Sequence, residues 1–395
     1  MIVAGGAYRE ICQVPRVDQI FGSGGRAAAA IGHLSPGTEL HTYAGRSLAR
    51  DLVASMAAFG VETRITEIEE EIAFSYFHPL SSSVLSPPRP ALQWSLHVAG
   101  THVLRFGMIE GDAVVRGGSV VYDPQGADTY VGFRRNGSVA DRLALVLNEA
   151  EAEAATGLHG LGAAQELLVS EGAEVVVVKG GAKGALVLAT GAEPAFVPAY
   201  RSDTVFKIGS GDVFSAVFAH AWAERGLAPV EAATFASAGT SNYVASQSLP
   251  VASLEPPNPV LALPVWKRPG RIYLAGPFFD VPQLWFIEEL RELLLEGGAR
   301  VFSPYHDVGM GHAPDATARA DLDGLRSADA VLAIVDGGDP GTVFEVGYAA
   351  ALGRPVIALA SRTPHEDLTM LHVPGVEIVG DVTTAVYKAL WASMK

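Results

Sequence analysis

The sequence predicts an α/β protein of two domains, each a mostly parallel sheet covered by helices. Three observations carry that expectation. Short β-branched apolar runs alternate with helical stretches along nearly the whole chain, as in successive β-α-β units. Several of these runs end in glycine-rich or acidic loops that enter a helix, the place where open α/β sheets bind ligands. The stretch LPVASLEPPNPVLALPVWKRPG, from Leu249 to Gly270, holds six prolines, which forbid a continuous helix or a central strand. It divides the chain into residues 1–254, a linker 255–266 and residues 267–395. Val251, Leu261, Leu263 and Trp266 are expected to pack this linker on a domain surface.

Composition bounds the function. With 395 residues, 49% hydrophobic and 18% charged, the chain can bury two cores. A formal charge of −15 without a basic cluster argues against nucleic acid or an anionic membrane as partner. Cys12 is the only cysteine, which excludes an intrachain disulfide and a thiolate metal cluster. MIVAGGAYREICQV lacks a basic leader followed by a long apolar run, so a cytoplasmic enzyme is expected.

In the first domain, Ile2 to Ala4 begins a strand, and Gly22-Ser-Gly-Gly25 reads as a flexible loop entering a helix from Arg26 to Ile31. A helix from Ser47 to Phe59 stops at Gly60. Strands follow at Val120–Tyr122, Ala144–Leu147 and Val175–Val178, the last with Ala185–Ala189 as hairpin partner. In FKIGSGDVFSAVF, from Phe206 to Phe218, a glycine loop opens a helix whose free N–H groups and dipole suit phosphate. Asp212 at that helix start opposes phosphate unless it serves as a base.

In the second domain, Ala330 to Val335 and Arg354 to Leu359 read as buried strands, with a helix from Val343 to Leu352 between them that places Glu345 in its first turn. Asp339 on the preceding loop and Asp321 and Asp323 in the preceding helix bring several carboxylates to one strand end. Such a convergence is repulsive unless something recruits it. An amphipathic helix from Pro282 to Glu296 carries Trp285 as a core or subunit contact, while Phe278 and Phe279 are better placed to stack on a ring. His306, Asp307 and His312 lack the spacing of metal ligands and read as hydrogen-bonding loop groups.

From about Arg271 to Leu359 the chain resembles the nucleoside 2-deoxyribosyltransferases, through Arg271-Ile-Tyr-Leu-Ala-Gly-Pro-Phe278, Asp321-Leu-Asp-Gly-Leu325 and Asp339-Pro-Gly-Thr-Val-Phe-Glu-Val-Gly-Tyr348. The resemblance implies a flavodoxin/Rossmann-like parallel sheet that needs no cofactor. Glu345 would be the nucleophile and Tyr273 its orienting partner, with Asp321 and Asp339 holding the nucleoside and assisting base departure. Gly276, Phe278, Phe279, Asp323 and Gly341 would contact the substrate. A nucleoside or deoxynucleoside and a free nucleobase are the implied partners, in a homo-oligomer. Asp339 would repel a 5′-phosphate and suits a free 5′-hydroxyl. No asparagine from Thr363 to Lys395 matches the one the family uses in transfer, so transfer and hydrolysis both stay open.

Most of residues 1–250 resembles the ribokinase-like (phosphofructokinase B) carbohydrate kinases. Gly209-Ser-Gly-Asp212, Asn148-Glu-Ala-Glu151, Asp123-Pro-Gln125 and Val176-Val-Val-Lys-Gly-Gly-Ala-Lys-Gly-Ala185 carry that likeness. It implies a ribokinase-like α/β sandwich in which Gly209, Ser210, Gly211, Lys179 and Gly181 bind ATP. Asp212 would be the base, and Asn148 and Glu151 would hold Mg²⁺ through water. Phe206, Lys207 and Ile208 replace the family's aspartate and threonines. Gly24-Gly-Arg-Ala-Ala-Ala29 lacks the sugar-binding asparagine, and the segment before Gly22 is too short for a β lid. A changed acceptor and an inactive kinase fold are both compatible with these departures. The whole chain is expected to be a nucleoside-salvage enzyme. The alternatives are a glycosidase with a sensing or assembly module, or a glycohydrolase that depletes nucleotides or NAD.

Overall fold

The computed structural model describes residues 1–126, 130–251 and 261–394. The expected domain end at Leu254 and linker residues 255–260 lie outside the described residues. The chain packs as two units, Met1–Trp266 and Lys267–Lys395. Of the stretch between the two expected domains, Val251 and Leu263 are buried while Leu261 is exposed. Among the described residues, no helix is long and apolar enough to cross a membrane.

The first unit is built on a nine-stranded sheet ordered Ala195–Val197, Ala185–Ala189, Val175–Lys179, Val139–Asn148, Ala113–Asp123, Leu96–Phe106, Ile2–Ala4, Glu39–Gly45 and Glu62–Ile68. All neighbours pair parallel except the hairpin that joins Val175–Lys179 to Ala185–Ala189 and Ala195–Val197. Both faces are covered, so its central strands read as unbroken apolar runs such as Val175 to Val178, all buried.

Two expectations need correction. Gly22 to Gly25 are not a loop: they form the first turn of a fully buried helix, Gly22–Ile31. The glycines are there for close approach, since a Cβ on Gly24 would lie 2.6 Å from the Gly5 backbone. The β lid judged too short is present. The hairpin Arg9–Cys12 and Val17–Ile20 is completed by Ala73–Tyr76 and Val84–Ser86 into a separate four-stranded sheet. The missing strands come from more than fifty residues downstream, where a local reading of the segment could not find them.

The second unit holds a five-stranded, wholly parallel sheet ordered Arg300–Phe302, Arg271–Ala275, Ala330–Ile334, Val356–Leu359 and Val376–Val379. Helices Val281–Glu296, Pro314–Ser327, Pro340–Ala351 and Val382–Ser393 follow its strands. The order reverses on either side of Arg271–Ala275, which makes the carboxyl end of that strand a switch point for ligands. The helix expected from Val343 begins earlier, at Pro340, because Asp339 caps it: its carboxylate accepts from the Thr342 amide at 2.7 Å. Glu345 therefore lies in the second turn. Trp285 is 55% exposed, so it is not core.

Candidate active sites

In the second unit, Tyr273 is the middle residue of strand Arg271–Ala275, fully buried and stacked on Phe302 with ring centroids 5.3 Å apart. Its hydroxyl reaches the switch point and donates to Glu345 Oε1 at 2.5 Å. Burial pushes the Glu345 carboxyl up to about 7; the Tyr273 bond opposes this, while Asp321 and Asp339 add to it. Glu345 lies one turn too far along the helix to answer the macrodipole. Asp321 joins the cluster with one buried, unpartnered oxygen, and burial raises its pKa.

The structure places the other residues differently. Asp339 spends Oδ2 on the Thr342 amide and hydroxyl, at 2.7 and 2.8 Å. Asp323 lies in an exposed ion pair with Arg326 at 2.7 Å. Gly341 sits in the exposed first turn of the capped helix. Gly276 lets its loop lie on the core, since a Cβ there would meet Ile287 at 2.9 Å. Phe278 is half-buried with its ring 5.6 Å from Tyr305, and Phe279 is 73% exposed. His306 bonds Ser303 Oγ and Glu288, and Asp307 accepts from the Ser303 amide. Among the described residues, no three His, Cys, Asp or Glu side chains gather as a metal site.

Asp336 went unrecognised as more than a loop residue. It is 8% exposed and accepts from the amides of Ser361, Arg362 and Thr363, which ties down the loop after the next strand. A cavity of about 680 Å³ borders Asp336 and Val343, yet neither Tyr273 nor Glu345 lines it.

In the first unit, Gly209 caps helix Ser210–Ala219 with φ +77°, a conformation that suits glycine. Lys207 Nζ donates to Ser210 Oγ at 2.9 Å, and Lys179 Nζ lies 3.5 Å from where a Gly211 Cβ would stand. Two cations beside free helix amides fit an anionic phosphate. Lys179 also pairs with buried Asp123 at 2.6 Å, and the Ser215 hydroxyl donates to the same oxygen at 2.6 Å. Gly181 opens the short turn Gly181–Lys183 after that strand.

Asn148 and Glu151 form a reciprocal helix cap: the Glu151 amide donates to Asn148 Oδ1 at 2.8 Å, and the Asn148 amide to Glu151 Oε2 at 2.7 Å. Each of these oxygens keeps a second lone pair, so a water of a hydrated Mg²⁺ can still donate to Asn148 Oδ1 or to Glu151. Burial, then Asp123, pushes Glu151 up to about 7, which weakens it as a cation ligand. The donor set here fits a phosphate better than a metal ion.

Asp212 is 8% exposed and holds both oxygens in bonds. Arg26 Nη1 reaches Oδ2 at 3.2 Å, and Gln125 Nε2 reaches Oδ1 at 3.3 Å. Arg26, 1% exposed, also pairs with Glu10. Burial raises Asp212 to about 6 against the opposing Arg26 charge. Arg26 and Glu10 were not recognised in the sequence, although one signal was there. An arginine inside Gly-Gly-Arg-Ala-Ala-Ala-Ala-Ile is buried with its helix, and a buried charge must find partners.

One enzyme-family model matches within each unit. Residues 119–254 match the pfkB family carbohydrate kinases, and residues 272–375 match nucleoside 2-deoxyribosyltransferase. The chain thus carries a ribokinase-like kinase domain ahead of a deoxyribosyltransferase domain. Among solved structures, fructokinase from Vibrio cholerae O395, in fructose-, ADP- and calcium-bound form, is similar at 14% identity over 65% of this chain and 96% of its own, with TM-score 0.47. Phosphofructokinase-2 from Escherichia coli is similar at 17% identity over 64% and 95%, TM-score 0.46. Ribokinase from Arabidopsis thaliana, complexed with ribose and ATP, is similar at 18% identity over 63% and 95%, TM-score 0.45. No match is found among curated proteins.

Proposed function

We propose that the second unit cleaves or transfers at the N-glycosidic bond of a nucleoside or deoxynucleoside through a covalent glycosyl-Glu345 intermediate. The observation that carries this reading is the 2.5 Å bond from the Tyr273 hydroxyl to Glu345, beside Asp321 at a sheet switch point. Ionised Glu345 attacks the anomeric carbon as the C–N bond breaks, and the base departs with the bonding pair and gains a proton. Asp321 is the better acid, because burial favours its protonated form and one oxygen lacks a partner. Asp339 accepts from the Thr342 amide and hydroxyl through Oδ2, and its other oxygen suits a sugar hydroxyl. Water or a second base then displaces Glu345 from the sugar.

The first unit, in this reading, holds a phosphoryl donor at the glycine loop between Lys179 and Lys207. ATP, when bound, supplies the phosphoryl group. Asp212 would take the acceptor proton once Arg26 or Gln125 yields its place. The full bonding of Asp212 favours a second reading, in which this unit binds ATP without turning it over.

The deciding experiment incubates the protein with deoxynucleosides, with and without a second free base, beside Glu345→Ala. Free base or a new nucleoside from the wild type alone supports the glycosyl chemistry, and dependence on added base separates transfer from hydrolysis. No turnover of any nucleoside by the wild type sinks the reading. ATP binding with and without phosphate release separates the two readings of the first unit.

A further inference from the structure

Three cations lie at the glycine loop of the first unit, and two of them are paired with carboxylates. Arg26 holds Glu10 and Asp212, and Lys179 holds Asp123. Lys207 is the exception. Among the described residues no carboxylate pairs with it, and its Nζ donates to the neutral Ser210 hydroxyl at 2.9 Å. It lines a cavity of about 700 Å³ beside Gly209, Gly211 and Asp212. Burial, then the charge on Lys179, holds its ammonium below the ordinary lysine value. A half-buried ammonium without an anion is costly, and with one N–H spent on Ser210 two donors remain. Lys207 is also one of the residues by which this chain departs from the pfkB pattern.

We propose that Lys207 supplies at this loop the charge that a divalent cation supplies to a phosphoryl donor, so that the first unit binds a polyphosphate chain in its metal-free form. Donor phosphates carry several negative charges, which metal ions commonly neutralise. Here a phosphate oxygen can accept from Lys207 and from the free amides of helix Ser210–Ala219, with Lys179 Nζ close to Gly211. Such an anion removes the repulsion between two ammonium groups, whereas a cation entering beside them adds to it. The Ser210 hydroxyl keeps Lys207 aimed at the helix start before the ligand arrives. A hydrated Mg²⁺ at Asn148 and Glu151 is then dispensable for binding. The proposal rests on the reading that the glycine loop holds a phosphoryl donor.

Calorimetric titration of the full chain with ATP and with inorganic tripolyphosphate, in excess EDTA and in excess Mg²⁺, tests this. Tripolyphosphate carries no nucleoside, so the reaction proposed for the second unit does not consume it. The wild type is expected to bind both probes in EDTA within about threefold of its affinity in Mg²⁺. Lys207→Met keeps the side chain's length and removes its charge. It should lose about tenfold or more in EDTA and no more than about threefold in Mg²⁺, whereas a merely structural role would cost both conditions alike. Because the substitution removes an unpaired charge, the variant should unfold no earlier than the wild type on heating, which separates lost binding from lost fold. Wild-type binding that weakens by more than about threefold without Mg²⁺ overturns the proposal and leaves the donor reading standing. So does a Lys207→Met variant whose affinity changes equally in both conditions. Failure of both probes to bind under either condition overturns the donor reading as well.

Discussion

Replacing Glu345 by glutamine removes a titrating carboxyl while keeping an oxygen for the Tyr273 hydroxyl. In the folded protein this carboxyl titrates at about 7 against an ordinary 4.5, chiefly through burial. The native state therefore holds a proton that the unfolded chain has lost throughout the window from about 4.5 to 7. Wild-type stability must fall as pH rises through that window and stay reduced above it. A difference of about 2.5 pKa units corresponds to up to about 3 kcal/mol. Glu345→Gln does not titrate, so it should match the wild type near pH 4 and exceed it by up to about 3 kcal/mol at pH 8. Urea unfolding followed through Trp285 and Trp391, the tryptophans of the second unit, reads this directly. A stability difference that is the same at both pH values would refute the reasoning, as would a glutamine variant weaker than the wild type at pH 8.

Tyr273→Phe removes the bond that holds Glu345 down, so the acid limb of the pH–kcat/KM profile should move to higher pH; an unmoved limb speaks against Glu345 as the ionised nucleophile. Asp339→Asn keeps a helix cap while Asp339→Ala loses one, costing roughly 1 kcal/mol; if both lose activity equally with only the alanine variant destabilised, the carboxylate serves the substrate. Arg26→Met strands Glu10 and Asp212 in a buried site, and thermal unfolding of the first unit should show a loss of roughly 3–5 kcal/mol. Gly209→Ala forces a side chain into a φ of +77° and against Arg26 at 2.1 Å, so it should weaken ATP binding far more than Ser210→Ala, measured by titration.

The pair at the centre of the second unit was legible because its motif is nearly contiguous with regular elements. Tyr273 lies on a strand of five residues that the family resemblance picked out, and Glu345 on a helix that sequence pattern placed within three residues of its observed ends. Strand alternation and helical spacing are local physics, so local sequence carries them. The glycine loop before Asp212 was readable for the same reason.

What local pattern could not decide is pairing across the fold. The first turn of helix Gly22–Ile31 looked like a loop because of its glycines, of which Gly24 is needed for contact with Gly5, and only packing reveals that. The lid sheet joins residues 9–20 to residues 73–86, and such a register is set by three-dimensional proximity. No local pattern announces that Arg26 and Gln125 bond Asp212, or that Asn148 and Glu151 bond each other. Residue types and spacing determine which chemistry a chain can assemble. Whether a buried charge stays available or is neutralised by a partner from a distant element is decided only when the tertiary structure removes water from around it.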